Sequence, residues 1–268
     1  MSILFRKISL LITLVFLSIN PIIGSAYSNN VIHWGIPKAG NENIPDPGAE
    51  LKDVTKKNKA FYLGDVKNKH IYLTFDCGYE NGQTDKILKV LRNKKVPAAF
   101  FVTGQYLKSE PGLVKRIAKE GHTLGNHTWH HPNLTTVNKI RFQKELALVK
   151  SEIGSLTGVT HINYMRPPEG VFSEKTLKWA NELGYTHVFW SMAYKDWEIN
   201  SQKGADYAYQ QIMSRVHPGA IILLHSVSSD NADALEKVID DLRKKGYIFK
   251  SLDDFVIQQH SPNPFLFQ

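Results

Sequence analysis

Two periodicities alternate along the chain from residue 70 onward. Residues 70–75 form a β-branched and aromatic run that predicts a strand. A turn at Asn81-Gly82 follows, and Ile87, Leu88 and Leu91 then recur at helical spacing. Residues 96–102 predict a second strand, apolar on both faces, and residues 113–120 a helix that Gly121 stops. The alternation continues with strands over 122–126, 162–165, 185–191, 220–224 and 247–250. The intervening helices are predicted over 137–157, 173–183, 205–216, 232–245 and 252–258, with Ser173 as a cap and Gly184 as a stop. About seven strand-then-helix units imply a parallel sheet covered on both faces, hence an α/β barrel or a doubly wound sheet. No Gly-x-Gly-x-x-Gly or Walker loop follows the first strand, which counts against a nucleotide-binding sheet and favours the barrel.

The pattern upstream is different. Arg6 and Lys7 precede an apolar run over 8–23, and Gly24-Ser25-Ala26 offers small residues for cleavage. That layout predicts a secretory signal over 1–26, cleaved after Ala26, with an uncleaved signal anchor as the alternative. Ser9, Thr13, Ser18, Asn20 and Pro21 interrupt the run, so no stable membrane span is expected. Residues 27–69 read as a loosely organised extension, with Pro37, Pro45, Pro47 and a basic stretch over 52–59. Trp34, Phe61 and Tyr62 are its expected anchors on the main domain. The catalytic domain is expected over 70–258 and a short tail over 259–268.

Composition narrows the picture. With 268 residues and 42% hydrophobic content there is material for one sizeable core. One Cys excludes an intramolecular disulfide and any multi-cysteine zinc cluster. The net charge of +8 favours an anionic partner. An extracytoplasmic location argues against nucleic acid and toward a wall polymer, and a monomer is expected.

In parallel α/β folds the working groups sit at the C-terminal ends of strands. Asp76 and Cys77 follow the first predicted strand, and His127 and His131 the third. Arg166 follows the fourth, Asp196 and Trp197 the fifth, and His225 the run ending at Leu224. His127 and His131 stand four apart, a spacing that on a helical turn aligns two imidazoles as a zinc pair needs. Each has an ordinary reading as well: a solvated His-rich loop, Asp76 as a helix cap, His225 as a satisfied core histidine, Arg166 as a surface ion-pair donor.

Taken together, the segments Thr74-Phe75-Asp76-Cys77-Gly78-Tyr79, His127-Thr128-Trp129-His130-His131-Pro132, Arg166-Pro167-Pro168-Glu169-Gly170, Asp196-Trp197 and Leu223-Leu224-His225 stand in one order. That order resembles the five motifs of the polysaccharide deacetylase family (carbohydrate esterase family 4, the NodB homology domain). The run Tyr79-Glu80-Asn81-Gly82 and the extension look most like the peptidoglycan N-acetylmuramic acid deacetylases of spore-forming bacteria, which make muramic δ-lactam in the spore cortex. The resemblance implies a distorted (β/α) barrel and metal-assisted hydrolysis of an N-acetyl group, with peptidoglycan glycan strands as substrate. It implies a divalent metal, zinc first, on His127 and His131, Asp76 as general base held by Arg166, and His225 as general acid supported by Asp196. The Glu169 N–H would donate to the developing oxyanion, while Leu223 and Trp197 would wall the acetyl pocket.

One departure stands out. Most of the family carries a second Asp after the catalytic one, completing an Asp-His-His metal site, and here that position is Cys77. Three readings stay open at this point: a thiolate ligand, a weaker two-His site, or a buried small residue. Deacetylation of N-acetylglucosamine in peptidoglycan or a chitin-like polymer, and glycan binding without catalysis, are the competing functions.

Overall fold

The computed structural model describes residues 27–260. The signal expected over 1–26, and all but the first two residues of the tail expected over 259–268, lie outside the described residues. The extension holds β1 (Ile32–His33) and α1 (Ala49–Lys57). The main body begins with β2 (His70–Cys77), α2 (Thr84–Lys94), β3 (Ala98–Val102), α3 (Gly104–Ser109), α4 (Pro111–Lys119) and β4 (Thr123–Asn126). Next come α5 (Lys139–Thr157), β5 (Tyr164–Met165), β6 (Val171–Phe172), α6 (Glu174–Glu182), β7 (Thr186–His187) and β8 (Met192–Ala193). The chain closes with α7 (Ala205–Met213), β9 (Ala220–His225), α8 (Ser229–Lys244), β10 (Ile248–Phe249) and α9 (Leu252–His260).

The parallel strands run in the order β7-β5-β4-β3-β2-β9-β8, and β10 pairs with the start of β2. This curled parallel sheet is the distorted barrel that the family resemblance implies, one of the two parallel-sheet architectures the alternating pattern allows. All eight residues of β2 are buried, and the strand period of two sorts them by face. Ile71, Leu73, Phe75 and Cys77 join an outer cluster with Ile87, Leu88 and Leu91 of α2 and Leu235, Val238 and Ile239 of α8. Tyr72 joins an inner cluster with Ala99, Phe101, Val188 and Ile221, and Leu252 and Phe255 of α9 close its floor. Each fully buried Phe or Leu contributes about 1.5–3 kcal/mol, so this core needs no disulfide.

Two expectations change. The single strand expected over 185–191 shrinks to β7, and a further short strand, β8, begins just beyond it, the two lying at opposite edges of the sheet. The residues between them cross the open seam, where Phe61 of the extension bridges Val188 and its N–H reaches the His187 carbonyl at 2.8 Å. An apolar run crossing a seam has the composition of a strand without its ladder. The helix α3 is absent from the sequence pattern because it is only six residues long, and what makes it is local: the Thr103 side chain accepts from the Tyr106 N–H at its start.

The extension is more ordered than its composition suggests. β1 pairs antiparallel with β6, the Trp34 indole stacks on Phe189 at 4.6 Å, and its Nε1–H donates to the Trp190 carbonyl at 3.0 Å. The Trp34 N–H donates to Gly170 O at 2.9 Å, so the extension backs the loop that follows Arg166. Among the described residues no helix is long and apolar enough to cross a membrane.

Candidate active site

Parallel register brings the first chemistry together. Asp76 at the end of β2 and His225 at the end of β9 are directly opposite partners, and Thr74 is opposite Leu223 two residues earlier. Because Asp76 follows Tyr72 and Thr74 on the inward face, it points into the mouth of the barrel. The mouth opens into a cleft of about 1110 Å³ lined by Asp76, His127, His131, Leu223 and His225, with Trp197 and Glu169 on its walls. A second hollow of about 880 Å³, at the N-terminal ends of β5 and β7, is lined by Lys56, Phe61 and Tyr164 and carries no carboxylate or imidazole.

Arg166 is fully buried beneath the cleft. Its guanidinium donates to Asp76 Oδ1 at 2.7 Å, Thr74 Oγ at 2.9 Å, the Val188 carbonyl at 2.9 Å and the Phe189 carbonyl at 3.3 Å. It also lies over the Phe101 ring at 4.2 Å. A cation this deep is tolerable only when its donors are satisfied, and four acceptors meet that demand. Burial pushes the Asp76 carboxyl up, but the Arg166 guanidinium above all, aided by His225, outweighs it and holds the group below its ordinary range. Asp76 is therefore ionised at neutral pH.

The second pair mirrors the first. His225 Nδ1 lies 2.6 Å from Asp196 Oδ1, and the His225 backbone N–H donates to Asp196 Oδ2 at 2.8 Å. Burial lowers the imidazole, yet Asp196 overrides it and leaves His225 above its usual value. The Trp197 ring, 47% exposed, packs against His225 at 5.2 Å. A carboxyl held below its ordinary range and an imidazole held above its own thus face one cleft from neighbouring strands, the division of labour that acid–base hydrolysis requires.

His127 and His131 meet with ring centroids 4.9 Å apart, but not on a helical turn. The segment leaving β4 is a loop in which Thr128 and His131 take positive φ, 67° and 56°, and fold the second ring back toward the first. Side chains hold that loop: Asn126 Oδ1 accepts the Thr128 N–H, and Glu145 accepts the N–H groups of Trp129 and His130. Gly104 at the start of α3 is needed here, since a Cβ would stand 2.3 Å from the Trp129 ring.

His127 Nδ1 faces the Arg166 carbonyl at 2.8 Å and so carries the proton, leaving Nε2 as the lone-pair nitrogen. Burial keeps both rings neutral, His131 lowered to about 4 with His127 as a further cause. Nε2 of His127 then confronts Asp76 Oδ2 at 3.5 Å, two buried acceptors with no donor between them. Such a contact suits a cation, and two neutral imidazoles are a suitable donor pair for a divalent metal.

The structure does not bring Cys77 to that pair. Its side chain is on the outward face of β2, fully buried in the apolar cluster, and burial pushes its thiol well up, so it stays protonated. Among the described residues no three His, Cys, Asp or Glu side chains are arranged to hold a metal. What the chain offers is a two-imidazole site, and the thiolate-ligand reading of Cys77 is not supported.

The loop after Arg166 places Glu169 at φ 57°, exposed and on the cleft wall, with Leu223 buried at the base. Sequence reasoning overlooked Thr74 as a partner of Arg166, although a spacing of two from Asp76 puts it on the same face. It also overlooked Asn231, whose Nδ2–H donates to Asp196 Oδ2 at 2.5 Å, and Glu145, for which the sequence carried no signal.

A family model described as polysaccharide deacetylase matches residues 63–188. An uncharacterized 30.6 kDa protein of Geobacillus stearothermophilus is 52% identical over 254 residues, covering 95% of this chain and 96% of that one. The peptidoglycan-N-acetylmuramic acid deacetylase PdaA of Bacillus subtilis is 50% identical over 90% of this chain and 92% of its own. The solved structure of that PdaA, a family 4 carbohydrate esterase, superposes with a TM-score of 0.86 at 51% identity, over 87% of this chain and all of the other. A family 4 carbohydrate esterase from Bacillus anthracis gives 0.74 at 51% identity, over 86% of this chain and 98% of that one.

Proposed function

Since the chain belongs to the polysaccharide deacetylase family and is a polysaccharide-deacetylating hydrolase, we propose that it removes the acetyl group from N-acetylmuramic acid in peptidoglycan, outside the cytoplasm. The observation that carries this reading is the pair of oppositely tuned groups across one cleft, the Asp76 carboxyl held down by Arg166 at 2.7 Å and the His225 imidazole held up by Asp196 at 2.6 Å. Neither group has a use in simple glycan binding.

The chain's residues divide the reaction. Asp76 accepts a proton from the attacking water, and Arg166 holds the carboxylate in its acceptor orientation. The backbone N–H of Glu169, unlike that of the preceding Pro168, is available to donate to the oxyanion as the carbonyl becomes tetrahedral. His225 delivers its Nε2 proton to the nitrogen as the C–N bond breaks, and Asp196 stabilises the imidazolium until that moment. Leu223 and Trp197 give the acetyl methyl an apolar wall. Deacetylases of this family depend on metal in general; His127 and His131 would hold a divalent ion here, zinc by the softness of the imidazoles, and when bound it supplies Lewis-acid polarisation and a more acidic water.

The muramic assignment is supported by the half-identical relative that spans nearly the whole chain, and it leads to the muramic δ-lactam of the spore cortex as the expected product. Secretion follows from the leader expected over 1–26 and from the location of that substrate. Mass analysis tests the reading directly. Metal-loaded protein is incubated with stem-stripped glycan strands, intact muropeptides and N-acetylglucosamine oligomers. Loss of an acetyl from muramic residues is expected; loss from glucosamine alone would transfer the activity to that sugar, and unchanged masses throughout would overturn it.

A further inference from the structure

The hydrogen bonds around the acid do not stop at Asp196. Asn231, nearly fully buried, donates from Nδ2 to Asp196 Oδ2 at 2.5 Å, and its Oδ1 takes the hydroxyl of Tyr194. We infer that Tyr194 and Asn231 form an outer relay that positions the Asp196–His225 pair, so that Asn231 is a positioning residue for proton delivery to the leaving amine. The inference rests on the reading of His225 as the acid given above.

Chemistry fixes the direction of the relay. An ionised carboxylate only accepts, so the amide must turn its NH₂ group toward Asp196 and its carbonyl toward Tyr194, whose hydroxyl then donates. Asp196 thereby receives donors from His225 Nδ1, the His225 backbone and Asn231, which leaves its carboxylate one orientation. The relay also joins separate elements. Tyr194 leaves β8, His225 ends β9, and Asn231 stands in the first turn of α8. The capping duty of that turn belongs to Ser228, which accepts the Asn231 backbone N–H at 3.2 Å, so the Asn231 amide is not needed to start the helix. Without the amide, Asp196 Oδ2 keeps only a backbone donor, and the carboxylate can pivot away from Nδ1.

Two substrates separate positioning from mere packing. An N-acetyl sugar needs a proton on nitrogen as its C–N bond breaks, whereas an aryl acetate loses a phenolate that needs none. Asn231→Ala is expected to lower kcat on the N-acetyl glycan about tenfold with KM unchanged, and to change aryl acetate turnover less than about twofold. Tyr194→Phe removes one hydroxyl and keeps the ring packing, so it tests the relay even where Asn231→Ala fails to fold; about a threefold loss on the glycan alone is expected. His225→Asn is the reference. If it spares aryl acetate while Asn231→Ala and Tyr194→Phe depress both substrates equally or neither, the relay is overturned by itself. If His225→Asn depresses both equally, the acid reading falls and the relay with it.

Discussion

Replacing Arg166 with Met removes the cation paired directly with the buried Asp76 at 2.7 Å. The side chain is 0% exposed and satisfies Asp76, Thr74 and two carbonyls, so among the described residues the variant leaves Asp76 with no ion-pair contact but that with the His127 ring at 3.5 Å. Breaking a buried pair from one side costs about 3–5 kcal/mol. For a chain of this size that corresponds to a fall in Tm of about 10 °C. Asp76→Asn keeps an acceptor for the guanidinium and should cost about 1.5–3 kcal/mol, with the double variant recovering about 2 kcal/mol against the sum. The pH dependence adds a sign test. In the native protein the Asp76 carboxyl is lowered, so its contribution is present above its unfolded value and lost as pH falls through the folded one. In Arg166→Met the guanidinium's contributions are gone and burial, the largest one remaining, is expected to raise it, so the variant regains stability on acidification and its deficit narrows toward pH ~4. Thermal unfolding of the three variants from pH ~4 to ~8 measures this. A deficit under about 1 kcal/mol, or one independent of pH, would refute the desolvated-pair argument.

Two other variants probe the site. Asp196→Asn withdraws the charge that raises His225, so the alkaline limb of the kcat–pH profile should move to lower pH, because the protonated acid is lost earlier as pH rises; an unmoved limb speaks against His225 as the titrating acid. Cys77→Ala should keep the wild-type metal content by elemental analysis and lose about 1 kcal/mol from the small cavity left in the outer cluster; a loss of bound metal would restore the thiolate reading.

Much of the architecture is legible in the chain because parallel strands covered on both faces carry near-continuous apolar runs. β2, β3 and β9 fall where those runs stand, and their ends deliver Asp76 and His225 to one place. The residues that escaped attention are those whose roles depend on contacts distant in sequence. Asn231 lies 35 residues from Asp196, and Glu145 lies 15 from the loop whose N–H groups it accepts. The convergence of His127 and His131 was visible as spacing, but its cause is a loop with positive φ rather than a helical turn. Cys77 was open to a sharper reading. Strand alternation alone places it opposite Asp76, and the apolar neighbours two and four residues back, Phe75 and Leu73, mark that face as the one turned away from the cleft.

The central claim is that Asp76 activates water for amide hydrolysis at this cleft. Acetate release from an N-acetylated peptidoglycan strand by metal-loaded wild type and by Asp76→Asn, with folding checked by circular dichroism, measures it directly. The wild type should release acetate and the variant none while keeping its fold; acetate release by Asp76→Asn at the wild-type rate would contradict the account.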